Sequence, residues 1–109
     1  MAAAVRNITI EQGTTVTEVY SYAGNLAGYV GRSQVRDKAG AGVIVAEFTV
    51  TIVPGASTST ITRSLTATQT SEIPSTSKNL AHDMEIESSG GVVIRLVKGT
   101  VTLDPEVTR

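Results

Sequence analysis

The chain has 109 residues, a formal net charge of −1, 40% hydrophobic but only 4% aromatic residues, and no cysteine or tryptophan. That length fits one compact domain able to bury a core unaided, and the lack of cysteine excludes disulfides, thiolate catalysis and Cys-based zinc sites. The near-zero charge offers no field to gather nucleic acid or an anionic membrane, the start Met1-Ala2-Ala3-Ala4-Val5-Arg6 lacks the basic-then-apolar order of a secretory signal, and no apolar run reaches the length of a membrane span.

The apolar residues are mostly Val, Ile, Leu and Ala, and Thr is frequent throughout. Branching at Cβ fits a pleated surface and loses rotamer freedom in a helix, so the composition points to an all-β fold. Gly, Pro, Ser and Asn divide the chain into about seven or eight short runs of ordinary strand length. The first is Val5 to Ile10, closed by Gln12-Gly13. Thr15 to Tyr22 follows, with Val16, Tyr20 and Tyr22 on one face and Glu18 intruding on it. Tyr29 to Arg36 alternates, placing Val30, Arg32, Gln34 and Arg36 on a solvated face.

After a turn at Asp37 to Gly42, Val43 to Ile52 is the strongest strand, with Ile44, Ala46, Phe48, Val50 and Ile52 facing the core. Pro54 to Ser57 turns the chain, and Thr58 to Thr66 returns as its hairpin partner. Thr66 before a stretch containing Gln and Glu predicts a capped helical turn near residues 67–73, stopped by Pro74. Leu80 to Glu87 and Val92 to Lys98 flank Ser88-Ser89-Gly90-Gly91 as a hairpin. Gly99 is expected to break or bulge the second of these strands, which continues from Thr100 to Leu103. Residues 1–4 and 104–109 read as short extensions of the single domain, 1–109.

Chemistry is sparse. His82 is the only histidine, and its strand neighbours Ala81 and Asp83 point to the opposite face, so a packed structural role outweighs a triad. Asp83, Glu85 and Glu87 form a carboxylate stripe. Alternate strand residues stand about 6.5–7 Å apart, too wide for one cation without loop carbonyls, so no metal is expected. Arg32 and Arg36 form a basic pair able to meet that stripe within the domain or between copies, and Arg95 can reach it from the neighbouring strand. The glycine runs lack a following Gly-Lys-Ser/Thr and read as turns, so no cofactor is expected. Asn7-Ile8-Thr9 matches a glycosylation sequon by composition alone.

Ile8-Thr9-Ile10-Glu11-Gln12-Gly13, Leu26-Ala27-Gly28-Tyr29 leading into Gly31 to Lys38, Leu65 to Thr70 running to Ile73-Pro74, Asp83 to Glu87 and Gly90 to Thr102, and the closing Pro105-Glu106-Val107-Thr108-Arg109 stand in an order that resembles small bacteriophage virion proteins of the tail, baseplate and fibre-attachment type, including the N-terminal domain of baseplate upper proteins. His82 departs from that pattern, which commonly has Tyr there. The resemblance implies an antiparallel immunoglobulin-like β-sandwich acting as a non-enzymatic adaptor or oligomerising module, made in the host cytoplasm and incorporated into the virion. Its partners would be other virion proteins and copies of itself, without nucleic acid or membrane. Candidate interface residues are Arg32, Arg36, Asp83, Glu85, Glu87, Arg95, Glu106 and Arg109, and either the Val5 to Ile10 segment or the 104–109 tail is expected to add to a neighbour's sheet. A capsid decoration protein is the alternative reading. A host glycan-binding module comes next, disfavoured by the scarcity of aromatics able to stack on sugars.

Overall fold

The structure, a computed structural model, describes residues 3–38 and 42–107. More than half of these lie in strands: β1 (Ala4–Val5), β2 (Ile8–Glu11), β3 (Val16–Ala23), β4 (Val30–Arg36), β5 (Ile44–Val53), β6 (Thr58–Leu65), β7 (Leu80–Glu87) and β8 (Val93–Asp104), with one short helix, α1 (Ala67–Ser71). The fold is all-β. The strands form one curled mixed sheet in the order β1-β8-β7-β4-β5-β6-β3, with β2 also on β8. The curl is carried by β5: its first half pairs with β4 (Ser33↔Phe48, Val35↔Ala46) and its second half with β6 (Thr51↔Thr62, Ile52↔Ile61).

The predicted hairpins form. β5 returns through β6, and β7 pairs antiparallel with β8. The helical turn is capped as its sequence predicts: Gln69 N donates to Thr66 Oγ1 at 3.1 Å while Thr66 N donates to Gln69 Oε1 at 2.8 Å, so each satisfies an otherwise free donor of the other. The predicted Gln12-Gly13 turn holds Gly13 at φ +84°, a backbone region that glycine enters without strain, with the Glu106 carboxylate packed where a side chain would stand.

The N-terminal edge differs from expectation. The single strand Val5 to Ile10 is instead two, and both run parallel to β8 (Ala4↔Val97, Ile8↔Val101), so the sheet is not purely antiparallel. The break falls at Arg6-Asn7, where the arm passes Gly99 and Thr100 along the same edge of β8. Gly99 neither breaks nor bulges β8, which runs unbroken to Asp104; the register shift lies between Met84 and Glu85, opposite Leu96. Gly99 instead makes room for the arm, because a Cβ there would come within 2.1 Å of the Arg6 carbonyl oxygen. Asn7 Oδ1 accepts from Thr100 N at 3.0 Å, tying the break to β8. Ala4 and Asp104 belong to strands rather than extensions, and Ile44, expected in the core, is 43% exposed. Part of the Asp37 to Gly42 turn, residues 39–41, lies outside the described residues.

Two apolar clusters fill the curl. One joins Ile10, Val35, Phe48, Leu65, Ile73 and Leu80 beside the helix; the other joins Leu26, Ile61, Met84, Ile86 and Val97 toward the β7–β8 hairpin. On β6 and β7 the position between the clusters is polar: Arg63 between Leu65 and Ile61, and His82 between Leu80 and Met84. Ser33 stands beside Val35 on the same inner face of β4.

Candidate functional site

The outer face of β4, β7 and β8 is a charge ladder set by strand register. Arg32 stands opposite Glu85, and Glu85 opposite Arg95; Gln34 stands opposite Asp83, and Asp83 opposite Lys98. Arg32 donates to Glu85 at 3.0 Å through Nε and to Glu87 at 2.8 Å through Nη1. Arg95 approaches Asp83 and Glu85, each at 3.7 Å. Directly opposed opposite charges of this kind hold neighbouring strands in register. The ladder floors an open hollow of about 780 Å³. Of the sequence-predicted residues it joins Arg32, Asp83, Glu85, Glu87 and Arg95 within one chain.

Arg36 borders the same hollow but is bonded elsewhere, to Gly42 O at 2.8 Å and Gln34 Oε1 at 2.9 Å. Glu106 lies apart, half-buried against Gly13, with its backbone N–H donating to Gln12 Oε1 at 2.9 Å. Arg109 lies outside the described residues. Of the two segments expected to add to a neighbour's sheet, Val5 to Ile10 contributes to β1 and β2 along the chain's own β8, and Asp104 of the 104–109 tail ends β8 itself.

A second set of charges is interior. Arg63 is 0% exposed, in the middle of β6. Its Nε and Nη2 donate to Glu18 Oε1 at 2.8 and 2.5 Å, and Nη1 donates to Ser33 Oγ at 3.0 Å and to His82 Nδ1 at 3.2 Å. The guanidinium lies 4.4 Å from the centroid of the Phe48 ring and 5.5 Å from that of Tyr20, within cation–π range. Glu18 also accepts from Tyr20 Oη at 3.0 Å and from Arg6 on its other oxygen at 3.3 Å. Ser33 Oγ passes its own hydrogen to Asp83 O. Among the described residues no buried side-chain polar atom lacks a partner.

The partners decide the state of His82. Arginine can only donate, so Nδ1 is an acceptor; the Arg6 carbonyl, 2.5 Å from Nε2, can only accept, so Nε2 carries the hydrogen. That neutral tautomer leaves no ring nitrogen for a substrate. Burial, with the nearby Arg63 charge, lowers the pKa of His82 despite the favourable bond to Arg6 O. Burial alone would raise the Glu18 carboxyl, but the bonds and charge of Arg63, aided by Tyr20 and Arg6, outweigh it and hold the pKa below the ordinary value. Burial and the adjacent Glu18 raise that of Tyr20, against the opposing pull of Arg63.

Sequence reasoning reaches His82 as a packed residue but misses Arg63. The signal was available: Glu18 breaks the inner face of β3, and Arg63 breaks the inner face of β6 between Ile61 and Leu65, with the opposite sign. Two opposite charges on inward positions of adjacent strands predict each other. Among the described residues no group of three His, Cys, Asp or Glu side chains comes together as a metal site, and no helix is long and apolar enough to cross a membrane. No family model matches the sequence, and no curated protein is detectably similar to it.

Proposed function

We propose that the chain is a non-enzymatic structural component of a bacteriophage particle, an adaptor or oligomerising module at the tail, baseplate or fibre junction, contacting other virion proteins and copies of itself. The observation that carries this reading is the use made of the ionisable groups. His82, Arg63 and Glu18 satisfy one another inside, and the Arg32, Glu85, Glu87 and Arg95 charges are tied across strands outside, so they stiffen the sheet. A rigid scaffold of this kind suits a part that transmits load and presents edges and loops to neighbours. The sequence resemblance supplies the virion context. We read the curl at β5 as the corner of an immunoglobulin-like β-sandwich; the passage of that strand from β4 to β6 and the core shared by both halves support this.

The test is to locate the chain in purified particles by antibody labelling and electron microscopy. Label at the tail tip or its fibre attachment is the expected result. Label spread over the capsid would replace this reading with a decoration role, and particles free of the chain would overturn it.

A further inference from the structure

The two edges of the sheet are unequal. The arm edge is short and interrupted, with two residues in β1 and four in β2. The opposite edge is β3, which pairs with β6 alone over eight residues without a register shift. Edge strands are normally protected by shortness, Pro, Lys, a bulge or an inward charge. β3 has no Pro, Gly or Lys. Its inward charge, Glu18, is engaged by Arg63 and Arg6 and so does not repel an incoming strand.

The three rows of the outer face behind this edge carry no charge. Its rows run Thr17–Ser64–Thr49, Val19–Thr62–Thr51 and Ser21–Thr60–Val53. Val19, 62% exposed, sits at the centre of the edge. No charge in these rows opposes a second copy, in contrast to the ladder on the far face.

We infer that β3 pairs antiparallel with β3 of a second copy about a two-fold axis at Val19, joining two sheets into one. A two-fold axis normal to the sheet keeps inner faces together, so it pairs residues of the same parity. An axis at Glu18 would set two carboxylates directly opposite each other; an axis at Tyr20 pairs as many residues as one at Val19, leaving Val16 rather than Ala23 over, but sets Glu18 opposite Tyr22 and Val19 opposite Ser21 instead of Glu18 opposite Tyr20 and Val19 opposite itself. At Val19 the pairs are Val16 with Tyr22, Thr17 with Ser21, Glu18 with Tyr20, and Val19 with itself. Each is favourable or neutral, and Glu18–Tyr20 repeats across the axis a hydrogen-bonding combination already made within the chain. This deepens the oligomerising role proposed above and names its partner as a second copy.

The experiment is sedimentation of the full chain over a wide concentration range, with three variants. The wild type is expected to dimerise. Val19→Lys, which sets two ammonium groups opposite each other at an exposed position, is expected to weaken the dimer roughly tenfold or more while keeping the β-sheet circular-dichroism spectrum of the folded chain. Val53→Lys, on the same outer face but away from the edge, keeps the dimer. Val19→Cys, the only thiol in the chain, is expected to give a covalent dimer on mild oxidation. A wild type that stays monomeric overturns the inference, as does a dimer that survives Val19→Lys. The virion reading is judged separately, by whether particles contain the chain.

Discussion

Arg63 and Arg32 face the same kind of partner, a carboxylate on an adjacent strand, but one pair is sealed between two apolar clusters and the other lies on a wet face. Arg32 is nearly half exposed, and its pairs with Glu85 and Glu87 compete with water and salt. Arg63 has no water to fall back on, so its donors must find Glu18, Ser33 and His82 together. Those partners come from β3, β4 and β7, and His82 and Glu18 extend the set to Arg6 on the arm. The outer ladder adjusts register locally, whereas the inner cluster admits one arrangement of four strands and the arm. Position, more than partner chemistry, decides what an ion pair does here.

Removing the buried guanidinium should have the largest effect. Arg63→Ala leaves the His82 Nδ1 facing a void and the Glu18 carboxylate with only Tyr20 and the more distant, exposed Arg6, and its expected cost is about 3–5 kcal/mol in urea unfolding, because the main partner of a buried charge is removed. Replacing both charges, as Arg63→Met with Glu18→Leu, is expected to recover much of that loss, since no charge is then stranded. A single-variant loss below about 1 kcal/mol, the range of exposed pairs, would show that the interior cluster is no more important than the ladder.

Next in size is Gly99→Ala. The new methyl collides with the Arg6 carbonyl oxygen, and that carbonyl is backbone, so the arm must move off β8 and away from His82. The expected cost is about 1–3 kcal/mol, the range for overpacking. Hydrogen exchange should accelerate at residues 4–11 before it does in β4 and β7.

Acid separates the two regions without mutation. His82 is lowered from 6.5, so the unfolded chain takes up its proton first; the stability it contributes is complete above about pH 6.5 and is lost as pH falls from there through its folded value. Glu18 is lowered from 4.5, so its contribution is complete above about pH 4.5 and is lost below that through its own folded value. Urea midpoints should therefore fall in two stages on acidification. His82→Gln, which keeps one donor and one acceptor, should flatten the first stage and leave the second. An unchanged first stage would mean that His82 is not the group responsible.

What the sequence made legible follows from period and local chemistry. The alternation over Ile44 to Ile52 marks a half-buried strand without ambiguity, Thr66 with Gln69 marks a capped turn, and the Ser88 to Gly91 loop marks the β7–β8 hairpin. The outer ladder was legible as well, since Arg32, the acidic stripe and Arg95 fall on solvated positions of strands that readily pair. The parallel arm was not, because pairing between Ile8 and Val101 spans nearly the whole chain and leaves no local trace. Gly99 was misread for the same reason: a glycine that makes room for a distant segment looks in sequence like one that bends its own strand. Arg63 was hidden by its identity, as an arginine alternating with Ile61 and Leu65 reads as an exception until Glu18 is set beside it.

The smallest effect belongs to the ladder, whose charged groups all keep some access to water. Glu85→Gln removes the carboxylate that Arg32 and Arg95 both approach, at 3.0 and 3.7 Å, while Arg32 keeps Glu87 at 2.8 Å. The expected loss is under about 1 kcal/mol at low ionic strength and shrinks further in about 1 M salt, where screening acts over only a few ångströms. Glu18→Gln, the same chemical change made inside, should cost more and keep that cost in salt, since ions do not reach Arg63. Equal salt sensitivity in the two variants would mean that water penetrates the inner cluster, and the distinction between a ladder that tunes register and a core that selects it would then fail.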